Sequence, residues 1–186
     1  MTTRLFSIDE EAVDLAAAKL HLRVDHADED ALITQLIAAA VDMASQHTGR
    51  SIAKCTWDLV LDAFPIAGLR LLWPPVLAVA EVKYVDVAGA DQVLAPAKYV
   101  VDPHSEPGRL VVAVGETWPA TAAVPNAVTV RYTAGYGADC PEPIRQWILL
   151  QVGHWYRNRE SINVGNIVNA MPYVDGLLDR YRVWGV

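Results

Sequence analysis

Apolar positions recur at three- and four-residue steps up to about Gly49, change to short alternating runs from Ser51, and return to the helical step after Pro141. Side chains at the first spacing share one face of a helix, and those at the second share one face of a strand. Asp14 precedes Leu15-Ala16-Ala17-Ala18-Lys19-Leu20-His21-Leu22, where its carboxylate can accept from the free first-turn N–H groups. An acidic linker over residues 25–30 follows, and Asp28 is expected to cap a longer helix. In that helix Ile33, Leu36, Ile37, Ala40 and Ala44 form an apolar stripe that needs a partner surface. Thr48-Gly49 should end it, glycine being suited to the left-handed position after a helix.

From Ser51 to about Ala134 the pattern is that of strands. Trp57, Leu59 and Leu61 fall on one face of a first strand, and Asp58 and Asp62 on the other. Prolines 65, 74, 75, 103, 107, 119 and 125 punctuate further β-type runs at 69–72, 79–87, 98–102, 109–112 and 127–133. Short strands at near-regular spacing predict a small antiparallel sheet or sandwich. Pro141 and Pro143 then open a helix over 144–157 that is apolar almost all round. A helix of that kind is central in its own fold or buried against neighbouring chains. Residues 161–171 read as a polar extended arm, and 174–182 as a last short helix. The fold class is α+β: residues 1–50 with 135–186 form a small helical bundle, and residues 51–134 form an inserted antiparallel β domain.

Composition adds limits. At 186 residues, 53% hydrophobic and 20% charged, the chain can bury a sizeable core and is not disordered. No apolar run approaches the ~20 residues of a membrane span, and the start of the chain reaches acid (Asp9, Glu10, Glu11) before an apolar leader core can form. Cys55 and Cys140 lie far apart, fit no metal spacing and are expected to be reduced thiols. The net charge of −7 comes from residues 1–140, which carry −8, while the last segment is slightly basic. An acidic surface repels phosphate, which disfavours tight binding to nucleic acid.

Chemistry is sparse. Ser51-Ile52-Ala53-Lys54 matches a Ser-x-x-Lys pattern, but it lacks companion motifs and falls at a helix-to-strand junction. Gly135-Tyr136-Gly137 before a helix lacks a third glycine, and Asp139 would oppose a phosphate, so a structural turn is the expectation. Asp102, His104 and Glu106 share a loop that is better read as solvated than as a metal site, and His154 is read as a helix-face residue. No catalytic, cofactor or metal residue is assigned. Aromatic and arginine side chains, enriched at protein interfaces, close the last helices. The candidate assembly residues are therefore Trp147, Trp155, Tyr156, Arg157, Arg159, Arg180, Tyr181 and Trp184.

Three passages, in order, carry a resemblance. The first is Leu15 to Asp25 with Asp28-Glu29-Asp30-Ala31-Leu32-Ile33 and Ala38-Ala39-Ala40; the second is His47-Thr48-Gly49-Arg50 leading to Trp57. The third is Tyr132-Thr133-Ala134-Gly135-Tyr136-Gly137, then Pro141 to Gln146 and His154-Trp155-Tyr156-Arg157-Asn158-Arg159-Glu160. Ser105-Glu106-Pro107-Gly108-Arg109 and Thr117-Trp118-Pro119 add to it, whereas 161–171 departs from it. Together they resemble the head–tail connector proteins, or head-completion adaptors, of long-tailed bacteriophages and prophages. The resemblance implies a structural virion protein without catalysis or cofactor. It would form a homo-oligomeric ring, usually a dodecamer, that docks under the portal protein and presents a platform to a neck or tail-completion protein. It would assemble in the host cytoplasm and end in the virion at the head–tail junction, with DNA passing through without specific binding and no membrane involved. An acidic lumen, with Asp25–Asp30 facing it, would suit such a conduit. The alternative is a small-ligand-binding or enzymatic domain that uses the β insert as its pocket; it would require convergent polar groups there.

Overall fold

The computed structural model describes residues 1–158 and 172–184. The arm predicted over 161–171 and the candidate Arg159 lie outside the described residues.

Helix α1 (Leu15–Leu22) forms as its cap predicts: Asp14 accepts from the Ala17 N–H at 2.7 Å, and Arg23, with φ of 61°, closes it through bonds to the Lys19 and Leu20 carbonyls. Helix α2 (Asp30–Thr48) buries Ile33, Ile37, Ala40, Val41 and Ala44 and ends at Gly49, whose φ is 69°. The expected Asp28 cap is corrected. Glu29 holds the capping position but its side chain makes no capping bond to the helix, and Asp28 is exposed, 3.7 Å from His26. Asp30 is the acid held in the first turn, where Lys19 binds it at 2.6 Å and ties α1 to α2.

Eight strands follow from the alternating runs and from two segments that carry no such pattern. They are β1 (Thr2–Glu10), β2 (Lys54–Leu61), β3 (Leu69–Leu71), β4 (Val76–Val85), β5 (Asp91–Val93), β6 (Tyr99–Asp102), β7 (Gly108–Val112) and β8 (Val128–Ala134). Among the described residues they make a five-stranded sheet in the order β1-β2-β8-β4-β5 and a three-stranded sheet in the order β3-β7-β6, with every pairing antiparallel. The first ten residues are therefore not part of a helical zone. They form an edge strand on β2, whose register slips between Leu5 and Ser7 and again between Ile8 and Glu10. Each bulge resets the two-residue alternation, so the strand has no readable period. Helices α3 (Glu142–Arg157) and α4 (Pro172–Asp179) follow among the described residues.

Two apolar cores result. Leu59, Leu61, Val82, Val130 and Tyr132 of the larger sheet pack with Leu69, Leu71 and Leu110 of the smaller one. Ile33, Ile37 and Ala44 of α2 pack with Ile144, Trp147, Ile148 and Val152 of α3, and with Leu178 of α4. Trp57 borders both cores and stacks on Trp73, with ring centroids 5.4 Å apart.

On the outer face of the larger sheet, Asp58 is not solvated but 1% exposed. Arg131, opposite it on β8, holds the carboxylate through two bonds of 2.8 and 2.9 Å, and Arg4, opposite it on β1, lies 3.6 Å away. The Arg131 guanidinium sits 3.7 Å from the centre of the Phe6 ring, so that strand β1 covers the pair. These bonds hold the Asp58 carboxyl below the usual carboxylate range, and the bonds from Arg50 do the same for Glu106. Because the unfolded chain then binds more protons in acid than the folded chain, this stability is full above the ordinary carboxylate pKa of ~4. It is lost as pH falls through the lower folded values. Thermal melting should show a transition that is flat near neutrality and falls below about pH 4.5. Asp58→Asn should cost ~1–3 kcal/mol at pH 7 and flatten the acid limb. An unchanged acid limb in this variant would refute the assignment.

Candidate functional site

Helix α2 delivers Arg50 to the junction of the helical core with the smaller sheet. The turn at Gly49 sends the chain across, and Arg50 is 8% exposed. Its Nε donates to the Tyr181 carbonyl at 2.5 Å, and its two terminal nitrogens donate to the two Glu106 oxygens at 2.6 and 2.5 Å. Val183 N–H donates to the Thr48 carbonyl at 2.8 Å, so the segment after α4 is bound to the end of α2 at two points. Burial pushes the Tyr136 hydroxyl up, beside the same guanidinium. The clasp thus joins the end of α2, the loop between β6 and β7, and the C-terminal segment. The passages His47–Arg50 and Ser105–Arg109, separate in sequence, meet in it.

The proposed assembly residues divide by position. Trp147 is 1% exposed and belongs to the chain's own helical core, so its ring packs within the chain. Trp155 and Tyr156 are half-buried against that core, and the Tyr156 hydroxyl donates to Glu29. Arg157 is exposed at the end of α3. Tyr181 is half-buried with its carbonyl on Arg50, and Arg180 lies exposed, 5.2 Å from the Tyr181 ring. Trp184 is 76% exposed, with the Arg182 guanidinium 4.7 Å from its ring.

The chemical motifs are occupied structurally. The Ser51 hydroxyl is buried and donates to the Ala53 carbonyl at 2.9 Å, while the Lys54 ammonium lies 3.8 Å from Glu10. The amides of Gly135 and Gly137 donate to the Pro75 and Ile52 carbonyls, which leaves neither for a phosphate. Asp102 accepts from the His104 and Ser105 amides and the Ser105 hydroxyl, and Glu106 is held by Arg50. His154 is exposed, with the Asn158 amide 3.4 Å from its ring. Among the described residues, no group of three His, Cys, Asp or Glu side chains is placed to hold a metal ion, and no helix is long and apolar enough to cross a membrane.

Both cysteines are free and buried. Burial pushes the Cys140 thiol up to about 12 and raises that of Cys55 as well. The thiolate is the reactive form, so a disulfide-exchange reagent at pH 8 should label the native chain more than about a hundredfold more slowly than the unfolded chain. Rapid labelling of either thiol in the native protein would contradict this burial.

Residues 12–84, which span α1, α2, β2, β3 and nearly all of β4, match the family of phage gp6-like head–tail connector proteins. No curated protein matches the chain in sequence. Among solved structures, the chain is similar to a subunit of the neck of an empty gene transfer agent particle computed with C6 symmetry. The TM-score is 0.80 and the identity 25%, over 100% of this chain and 97% of that one. A subunit from the virion of the native gene transfer agent particle matches with a TM-score of 0.81 and 25% identity at the same coverage. A subunit from the neck of the native particle computed with C12 symmetry shares the fold, with a TM-score of 0.77 and 24% identity. The match of residues 12–84 to this family, on a fold shared end to end with particle neck subunits, makes the chain similar to phage gp6-like head–tail connectors and supports a structural connector role for it.

Proposed function

We propose that the chain closes into a ring of twelve copies beneath the portal protein and joins the DNA-filled head to a neck or tail-completion protein. The observation that carries this reading is the whole-chain likeness to neck subunits of particles treated with six-fold and twelve-fold symmetry. A cyclic ring needs one patch of each subunit to meet a different patch of its neighbour. In this reading the helices within residues 1–50 and 135–186 supply the ring-forming bundle, and residues 51–134 form an inserted β domain that serves as the platform. Strand β1 joins the two units. Arg157, Arg180 and Trp184 are exposed at the ends of their elements and are the contact residues most open to a partner, together with Trp155, Tyr156 and Tyr181 at their margins. DNA passes through without specific binding, in keeping with the net charge of −7. Assembly takes place in the host cytoplasm, before the ring is fixed in the particle.

Negative-stain electron microscopy of the chain mixed with the portal from the same particle tests this, with each component alone as control. A second ring stacked on the portal is the expected result, and its rotational symmetry gives the copy number. A chain that remains a well-behaved monomer and never associates with the portal would overturn the reading.

A further inference from the structure

Helices α1 and α3 lie side by side and point the same way, and each end of the pair opens into a groove of opposite charge. At their N-terminal ends, a groove of about 480 Å³ is lined by Glu10, Glu11, Asp14 and Glu142, with Arg145 as its only base. At their C-terminal ends, a groove of about 520 Å³ is lined by His21, Arg23, His154 and Arg157, and none of its lining residues is acidic. The grooves are separated by roughly 12 Å, the length of eight helical residues. Helix dipoles account for Asp14 and Glu142 at one end and for His154 and Arg157 at the other. They do not account for Glu10 and Glu11, which come from the end of β1 and the link to α1, or for the openness of both grooves.

We propose that these two grooves are the two halves of the contact between neighbouring copies: the basic groove of one subunit receives the acidic groove of the next. The inference rests on the ring reading above and names its interface. The charge pattern favours a second copy as the occupant. A head-to-tail ring of identical subunits requires two different, complementary patches on every subunit, and this chain carries one of each sign on a single rigid helix pair. Elsewhere the surface is net acidic, so copies repel one another except where the basic groove faces an acidic patch. Charge complementarity of this kind sets register and excludes wrong contacts more than it adds affinity.

Two full-length variants test the proposal, one with the basic groove reversed (Arg23→Glu with Arg157→Glu) and one with the acidic groove reversed (Glu11→Lys with Glu142→Lys). These are surface positions, and melting curves check that each variant folds. Ring formation on the portal is counted by electron microscopy, for the wild type, each variant alone and their equimolar mixture. Each variant alone should form rings about tenfold less often than the wild type, or not at all. The mixture should restore them, because the reversed grooves complement each other and the untouched grooves do the same, so the two variants alternate around an even-membered ring. Added salt should weaken wild-type ring formation, since exposed charge pairs are screened. Variants that each ring as well as the wild type would overturn the proposal while leaving the ring intact. So would a mixture of folded variants that restores nothing. A wild-type chain that forms no ring overturns the ring reading itself, and this interface with it.

Discussion

Alanine at position 135 is expected to lower folding stability by about 3–5 kcal/mol, a loss among the largest that single substitutions produce. Gly135 is buried where β8 leaves the larger sheet, with φ of 113°, a conformation that side-chain-bearing residues rarely adopt. A Cβ at this position would lie 2.0 Å from the Ala53 carbonyl oxygen and 3.0 Å from the Lys54 Cα. Both are backbone atoms at the start of β2, and neither can swing aside as a side chain would. Gly89→Ala is the control: its φ of 83° is equally left-handed, but nothing lies within 4 Å of its Cβ. It should therefore show only the conformational cost of ~1–2 kcal/mol. Chemical denaturation of both variants separates strain from overlap. If the two cost the same, close approach to β2 is not what requires glycine at 135.

The same turn shows what local pattern reveals and what it hides. Gly135-Tyr136-Gly137 is readable as a turn, and the strand before it and the helix after it follow from their periodicities. The cap of α1 at Asp14 and the stop of α2 at Gly49 are equally local, and both lie where the sequence places them. Strand β1 is not readable, because two bulges break its alternation and Leu5, Phe6 and Ile8 are exposed, so no buried face repeats. The same holds for β5, three exposed residues that pair only because the β4 hairpin turns them back. Trp147 marks another limit: an all-apolar helix looks alike whether it packs within its chain or against a neighbour, and only the fold places this ring inside.

Pairs distant in sequence are the other invisible class. Asp58 and Arg131 are 73 positions apart, and alternation alone gives Asp58 an outward direction without disclosing that an arginine covers it. The two charged grooves of the α1–α3 pair are likewise a product of packing, since their acids and bases come from segments more than 100 positions apart. The connector resemblance quotes both the His47–Arg50 passage and the Ser105–Arg109 passage, but nothing in either says that one binds the other.

That contact carries the second large effect. Arg50→Ala should cost about 2–4 kcal/mol, because a guanidinium that is almost wholly buried loses three acceptors at once and leaves Glu106 and the Tyr181 carbonyl without their donor. For a chain of this length each kcal/mol moves the melting temperature by roughly 2–4 °C, so a drop on the order of 5–15 °C is expected by calorimetry. Glu106, whose side chain is 45% exposed, should cost less when truncated, about 1–2 kcal/mol. The double variant should then reveal a coupling on the order of 1–3 kcal/mol, since the residues share one interaction. Arg50→Lys should recover less than half of the loss, because a single ammonium cannot span the Glu106 fork and the Tyr181 carbonyl together. The C-terminal segment is bound to the fold through this arginine and through the Val183–Thr48 bond. Limited proteolysis of Arg50→Ala should therefore cut after Arg180 or Arg182 sooner than in the wild type. A variant that melts within ~0.5 kcal/mol of the wild type, as ordinary surface changes do, would show that the clasp does not hold the helical core to the smaller sheet.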